Sequence, residues 1–456
     1  MKKLFLLLLA SLFTGVQQIS AQSEKDNYVT ITTQSGDYDG MWSFYVAPYD
    51  VPFVPGCWID WNNNGVKEDG EDITEDDWMN SVLHPIDSNT ISIHGNITYM
   101  SFYGLTLTAV DISNTDALVD LDLSGNLLET IDLSKNTSVK TINLSENNFK
   151  TIDFVNAPQF KSSSLSYDPE LTSLDISSQK ALTDFVFTDN ENISSFDFSK
   201  NPNLEFLYLE AIPLEKIDLS ANTKLTQISI AFTSLSDITL PEAPGMKSIA
   251  LHNNNLSGTI DASQYKHLED IFFQNNNVNN LIIAKDVKEL NIISCYMNDL
   301  QTASFMPVIN NLYDRSLDEE LYRGCIFMID SEPLDESVVD KNSLTESAVL
   351  DAAAKAWDVI DYAGANMYPY PGIDDAVGIL DVRNTTHSLT VSRIADRVVV
   401  KVPATLIGRT LTVYDMSGRE VYTRRLTTST TLTPSLDARH GTYIFTVDRQ
   451  SIKAEI

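Results

Sequence analysis

Residues 118–138, LVDLDLSGNLLETIDLSKNTS, are followed by residues 139–159, VKTINLSENNFKTIDFVNAPQ, and the two segments align position by position. Apolar side chains fall at offsets 0, 3, 5, 10, 13 and 15; in the first copy these are Leu118, Leu121, Leu123, Leu128, Ile131 and Leu133. The pairs at 3 and 5, and at 13 and 15, have the period of two that puts side chains on one side of a strand. No stretch inside a copy has helical spacing or length. One copy cannot bury these groups alone, so neighbouring copies must stack and share a core. Each buried group is worth roughly 1.5–3 kcal/mol before conformational entropy is subtracted. The spacing predicts coils with two short strands each, and sheets along both faces.

The period extends outward from this pair. Phe160, Leu182, Leu204, Leu225 and Met246 open further copies of 21–22 residues, Leu268 opens a shorter one, and Ile97 and Val287 open degenerate end copies. Offset 8 holds Asn126, Asn147, Asp168, Asn190, Asn254, Asn276 and Cys295. The pattern resembles the leucine-rich repeat, LxxLxLxxNxL, over nearly half the chain. In that family the offset-8 position takes Asn or Cys, bonded to backbone inside the turn. A buried turn has N–H and C=O groups that need such partners. The resemblance gives Cys295 a structural role and discounts it as a nucleophile. Ile212 and Thr233 interrupt the series.

Between the buried positions of the first strand, offsets 2, 4 and 6 face outward. They carry Tyr99, Ser101 and Tyr103 in the copy that opens at Ile97, then small polar and acidic groups such as Asp120, Asp122, Ser124, Thr141, Asn143 and Ser145. Further on come Val186, Phe206, Tyr208, Glu210, His252, Phe272 and Gln274. Aromatics clustered on a sheet face are what a partner site looks like. We therefore take Phe206, Tyr208, Glu210, His252, Phe272 and Gln274 as a candidate binding patch for a protein or glycan; the alternative is that these rings cover neighbouring side chains or pack on another module. The second strand carries an acidic column, Asp111, Asp132, Asp153, Asp175, Asp197, Asp218 and Asp261. Like charges so spaced must be hydrogen-bonded, screened or cation-bound, and nearby Ser or Thr points to bonding with backbone.

Residues 22–96 read as a β cap for the open end of the stack, with YVTITT and WSFYV as alternating strands. Within them, DWNNNGVKEDGE (60–71) satisfies D-x-[DN]-x-[DN]-G-x5-E. Oxygens at that spacing wrap a hard cation, and the glycine allows the sharp turn. The ligands would be Asp60, Asn62, Asn64, the Val66 carbonyl, Glu68 and Glu71, with Ca²⁺ as the candidate cofactor. GCWIDW before the loop reads as a strand, so the loop is grafted on a hairpin and not on an EF-hand. An Asx-rich turn without metal is the alternative. The order IDWNNNG, ISIHGNIT, then repeats containing IDLSKNT looks like secreted leucine-rich-repeat proteins of Gram-negative anaerobes.

Residues 313–364 read as a strand–helix–strand cap, with GCIFMID, a helix AVLDAAAKAW opened by a capping box of Ser343 and Glu346, and VIDY. Pro369, Pro371 and Gly372 mark a linker over 365–385. Residues 386–456 are short alternating strands that fit a small Ig-like β-sandwich. TVYDMSGREV and SLDARHGTYIFTV there resemble the C-terminal sorting domain of the type IX secretion system, through Tyr414, Asp415, Gly418, Arg419, Gly441 and Tyr443. The Asn-Pro pair usual near the start of that domain is missing, and a spacer or adhesive sandwich is the alternative. The expected fold is thus mainly β: a leucine-rich-repeat solenoid over 97–312, capped at both ends, followed by a sandwich.

Composition narrows the function. Lys2 and Lys3, the apolar run Leu4 to Phe13 and Ser20-Ala21 form a secretory leader over 1–21. No later segment reaches about 18 consecutive apolar residues, so no transmembrane helix is expected. A net charge of −32 argues against nucleic acid as a partner. From Thr386 onward there are ten Lys or Arg against six Asp or Glu, out of totals of 31 and 63, so the acidity lies upstream. Cys57, Cys295 and Cys325 are too few for a disulfide framework; buried free thiols are expected, with Cys295–Cys325 the one pairing to test. No G-x-S-x-G, H-E-x-x-H, C-x-x-C or phosphate loop occurs, and His84, His94, His252, His267, His387 and His440 lack metal-ligand spacing. The expectation is a binding protein, not an enzyme, exported to the surface of a Gram-negative cell or beyond. The alternative is a structural or adhesive envelope protein ordered by calcium without a selective ligand.

Overall fold

The computed structural model describes residues 27–34, 41–44, 53–80, 82–85, 87–154, 157, 159–318, 321–333 and 339–373, with the strand segments 390–394, 397–401, 409–415, 420–425, 442–447 and 450–455. The leader over 1–21 lies outside these residues. Two compact units divide the chain: Met1–Leu204 with Ala211–Pro213, and Glu205–Glu210 with Leu214–Ile456.

In the first unit, Tyr28–Thr33 pairs antiparallel with Thr90–His94 on one side and with Leu107–Asn114 on the other. The cap therefore does more than cover apolar side chains. It hydrogen-bonds to the return strand of the first coil and removes an open sheet edge. Coils follow whose first strands, Tyr99–Ser101, Asp120–Asp122, Thr141–Asn143, Ser162–Ser166 and Asp184–Thr188, run parallel in register. Leu118, Leu121, Leu123, Leu128 and Leu133 are buried as expected, while Ile131 is half-buried. The return side differs from expectation. Strands there pair only two at a time, as Ile152 opposite Leu174, and no strand forms at 130–132.

The second unit continues the plan. Phe206–Glu210, Gln227–Ala231, Ser248–Ala250, Asp270–Phe272 and Ile292–Ser294 are parallel neighbours, and Gly324–Ile329 and Trp357–Asp361 of the cap join the same sheet. Tyr368–Pro369, assigned to the linker from sequence, instead closes the edge antiparallel to Ile360–Asp361. The last coil also departs from the strand-only expectation. Its return side is the helix Thr302–Asn311, which buries Phe305, Val308 and Ile309. The Lys355 ammonium lies on the carbonyls of Ile309, Asn310 and Leu312, at 3.0, 2.8 and 3.1 Å, where the helix dipole favours a cation. In the cap helix Glu346–Ala354 the N-cap is Thr345, whose hydroxyl accepts from Ala348 N–H. Ser343 is not the cap; its hydroxyl donates to Gln301. A short helix, Glu75–Met79, has a capping box of Thr74 and Asp77 that the sequence reading missed. The C-terminal strands form antiparallel sheets, Thr390–Ile394 with Arg397–Lys401, and a four-stranded sheet built around Thr410–Asp415 and Thr442–Val447.

The offset-8 side chains hold the turns. Asn126 donates to the carbonyls of Phe102, Leu123 and Ser124 and accepts from the N–H groups of Leu105 and Leu107. Asn147, Asn254 and Asn276 repeat this arrangement one coil at a time. The last rung corrects the sequence reading. Asn298, not Cys295, donates to Phe273 and Cys295 carbonyls and accepts from Val278 N–H. The final coil opens at Leu290, so Cys295 sits at offset 5 and is a fully buried core residue. Asn342, from beyond the next strand, supplies one further rung to the carbonyls of Cys295 and Met328. Thr233 substitutes its hydroxyl, accepting from Leu235 N–H and donating to Asn254. All three cysteines are free thiols, so Cys295–Cys325 is not a disulfide.

A second buried row went unread. Asn136, Gln179, Asn201 and Asn222 are fully buried on the other side of the coil; Asn136 donates to Ile112 and Thr115, and Asn201 to Ile176 and Gln179. The signal was the recurring K-N-T, S-Q-K, K-N-P and A-N-T at the end of each copy.

Asp168 is the odd rung. It is 0% exposed, and its Oδ1 accepts from Asn147 N–H at 2.9 Å. Its Oδ2 has no partner among the described residues, whereas the matching amides of Asn147 and Asn190 donate to backbone carbonyls. A neutral carboxyl can supply that donor; a carboxylate cannot. Burial pushes its pKa up to about 7, opposed by the Asn147 N–H and helped by the charge of Glu146. The folded pKa lies above the unfolded one, so this stability is full below about pH 4 and is lost as pH rises toward 7. Asp168→Asn should therefore unfold at higher denaturant than the parent at pH 8 and lose that advantage near pH 4. Urea titrations at the two pH values check this, and a less stable variant at pH 8 would refute it.

Candidate functional site

The outward face of the second unit is laid out by register. Tyr208, Ser229, Ala250 and Phe272 form one column, and Phe206, Gln227, Ser248 and Asp270 the next. Tyr208 and Phe272 stand three rungs apart, about 14 Å at the spacing of sheet strands. Only Ser229 and Ala250 lie between them, so the column has two aromatic ends and a low floor. A third column continues each strand by two residues: Glu210, Ala231, His252 and Gln274. All six patch residues thus come to one face, but none is fully exposed; each is half-buried.

Local contacts fix these groups. Phe206 and Tyr208 stack with centroids 6.5 Å apart, and the Tyr208 hydroxyl donates to the Glu210 carboxylate. His252 meets the Phe232 ring edge-on at 5.5 Å and 86°. Burial holds the His252 imidazole below its ordinary pKa, so it is neutral at pH 7. Burial raises Asp270, with Ser248 opposing and Glu269 assisting. His252 Nδ1 and Gln274 Oε1 are buried without a hydrogen-bond partner among the described residues. Such atoms are costly to leave unpaired in a folded protein.

Phe232 was missed from sequence. It occupies the corner just before the offset-8 residue, where the backbone is left-handed in coil after coil: Glu146, Tyr167, Asp189, Ala211, Phe232, Asn253, Asn275 and Met297 all have φ between 52° and 59°. Asn tolerates that conformation; for the bulky rings of Tyr167 and Phe232 it is costly, about 1–2 kcal/mol for an L-residue. Phe232 is nevertheless there at φ 52° and 48% exposed, beside His252. The signal was an aromatic at offset 7, a position where packing asks for nothing apolar.

In the acidic column the carboxylates cap turns. Asp111, Asp132, Asp175, Asp197, Asp218 and Asp261 each accept from the backbone N–H two residues on, at 2.8–2.9 Å. For Asp132 and Asp175 the Ser134 and Ser177 backbone N–H bonds, and for Asp197 the Ser199 side chain, hold the carboxyl below its usual range.

The 60–71 loop leaves the strand Trp58–Asp60 and returns beside it, with Ile59 N–H bonded to the Glu71 carbonyl. Asp60 is fully buried; its oxygens accept from Asn64 and Gly65 N–H at 3.0 and 2.6 Å. Glu71 accepts from Trp61 and Glu68 N–H, and the Asn62 and Asn64 amides donate to Glu68. Gly65 has φ +75°, and Val66 is 61% exposed. The loop thus gathers Asp60, Asn62, Asn64, Glu68 and Glu71 around its own backbone. Among the described residues no group of three or more His, Cys, Asp or Glu is placed to hold a metal, so a cation there would depend on the Asn and carbonyl oxygens as well.

If the Phe232 conformation is strained and the ring is not needed for folding, Phe232→Asn should stabilise the chain by about 1 kcal/mol. Denaturant midpoints measure this; a destabilised variant would mean that packing on His252 outweighs the backbone cost.

No protein-family model matches the chain. No curated protein matches it. Among solved structures it is similar to the functional domain of InlJ from Listeria monocytogenes, at 15% identity over 80% of this chain and 92% of that one, with a TM-score of 0.37. It is similar to the APL1 leucine-rich repeat domain at 21% identity, TM-score 0.37, over 47% of this chain and 57% of that one. A leucine-rich-repeat protein of Leptospira interrogans matches at 14% identity, TM-score 0.38, over 56% and 69% of the two chains. The chain thus spans little more than half of the APL1 domain. The leucine-rich-repeat architecture itself rests on the stacked coils, their parallel sheet and the Asn rungs described above.

Proposed function

We propose that this chain is an extracellular recognition protein that captures a protein partner on the outward sheet face of its second unit. The observation that carries the reading is the set Phe206, Tyr208, Glu210, His252, Phe272 and Gln274 on one face, with a floor of small residues and two polar atoms left unpaired. A protein partner fits the patch because aromatic rings with a carboxylate beside them are the mix that protein interfaces use.

Export belongs to the same proposal. The residues 1–21 would act as leader, and the C-terminal strands as a sorting domain that delivers the protein to the outer surface of a Gram-negative cell or to the medium. Tyr414 and Tyr443 of the sorting-like motif lie on the strands Thr410–Asp415 and Thr442–Val447. Gly418, Arg419 and Gly441 lie outside the described residues. No helix among the described residues is long and apolar enough to cross a membrane.

Calcium is proposed for the 60–71 loop, with Asp60, Asn62, Asn64, the Val66 carbonyl, Glu68 and Glu71 as ligands. The spacing and the turn at Gly65 support it. Binding would exchange the present amide–carboxylate bonds of Asn62, Asn64 and Glu68 for metal–oxygen bonds.

A photo-crosslinker at the Ser229 position of the full chain should trap one partner saturably, and Tyr208→Ala with Phe272→Ala should abolish the capture while leaving the circular dichroism spectrum unchanged. Undiminished capture by that double variant rejects the face. Calorimetric titration of the full chain with Ca²⁺ should give heat that Asp60→Asn removes; no heat at millimolar calcium means no site.

A further inference from the structure

We infer that the segment received by this face is basic, an extended stretch of a protein partner bearing Arg or Lys side chains. The inference rests on the face assignment above and adds the chemistry of what binds there. The strands FLYLE, QISIA, SIA and DIF that build the face contain neither Lys nor Arg. They do contain Glu210 and Asp270, both half-buried and both turned to the outward columns. The charged groups of these strands that face outward are thus both anionic, the Glu210 and Asp270 carboxylates. A ligand that answers two carboxylates on strands without Lys or Arg is cationic, and guanidinium and ammonium groups carry donors only.

The rings fit the same ligand. Tyr208 and Phe272 flank the small side chains of Ser229 and Ala250, and the faces of such rings attract a cation. Phe232, left-handed and half in solvent, stands at the rim of the third column against His252. Its exposure is accounted for if it closes the wall of this groove around an aliphatic Arg or Lys stem. An acidic segment would meet two carboxylates and no cation on these strands, and a neutral sugar would leave the charges unanswered.

The test uses the full chain and a fluorescent nine-residue peptide of alternating Arg and Ser, followed by polarisation. The expected result is saturable one-to-one binding, weakened at least tenfold by Glu210→Gln with Asp270→Asn and at least tenfold by Phe232→Asn. Removing two exposed carboxylates elsewhere, Glu215→Gln with Glu242→Gln, should change it less than twofold. A matching Glu-Ser peptide and maltohexaose should not bind. Equal weakening by the Glu215/Glu242 pair would reduce the binding to general attraction by an acidic chain and overturn the inference. So would equal affinity for the acidic peptide or the sugar. If the Arg-Ser probe fails while crosslinked capture still depends on Tyr208 and Phe272, the basic assignment falls alone; if both fail, the face falls with it.

Discussion

The fold depends on a side-chain amide that does a backbone's work inside a dry turn. Each coil must bend where its apolar residues are buried, and the bend leaves carbonyl and N–H groups facing inward with no water to meet them. Asn126, Asn147, Asn254, Asn276 and Asn298 bridge those groups within their own coil and to the coil before it. A carboxamide offers two donors and an acceptor at fixed geometry, which few side chains of its size can match. Each unmade bond in such a place costs on the order of 1–3 kcal/mol, so the series sets the spacing of coils as firmly as apolar packing does.

The same constraint shapes the surface. Because the rung side chain must point inward, the residue before it turns left-handed, and that corner repeats as a column along the coils. Asp189, Asn253 and Asn275 tolerate that corner, whereas Tyr167 and Phe232 hold bulky rings in it. Phe232 borders the face that carries the rings and carboxylates of the second unit. Exchange of Asn for Asp at position 168 shows the constraint from the other side. The carboxyl can imitate the amide only by keeping its proton, and burial raises its pKa accordingly.

The ends are closed by different chemistry. At the start, antiparallel pairing to Leu107–Asn114 satisfies the edge. At the end, Asn342 supplies a last rung from a distant segment, and Lys355 and Arg315 place cations on carbonyls. The Arg315 guanidinium donates to Tyr322, Leu290 and Asn291 and lies 5.4 Å over the Trp357 ring. These are polar solutions to the problem the Asn series solves in the middle, that of backbone groups left without partners.

The period of 21–22 residues, the buried leucine positions and most of the Asn rungs were legible in the sequence, because each depends on contacts between equivalent residues of adjacent copies. The strand–helix–strand cap and the turn-capping role of the Asp column were legible for the same local reason. What the sequence misassigned sits where local pattern and tertiary need part company. Cys295 matched a rung by counting from Val287, but the last coil begins at Leu290, a phase that only the pairing of Ile292 with Asp270 decides. Thr345 and not Ser343 caps the cap helix, since Ser343 is taken by Gln301 across the fold. Offset alone put Phe206, Tyr208 and Phe272 on the outward side of their strands, and the register agrees. The patch's floor of Ser229 and Ala250, its wall at Phe232 and its unpaired acceptors follow from strand register and burial, which no single copy of the repeat encodes.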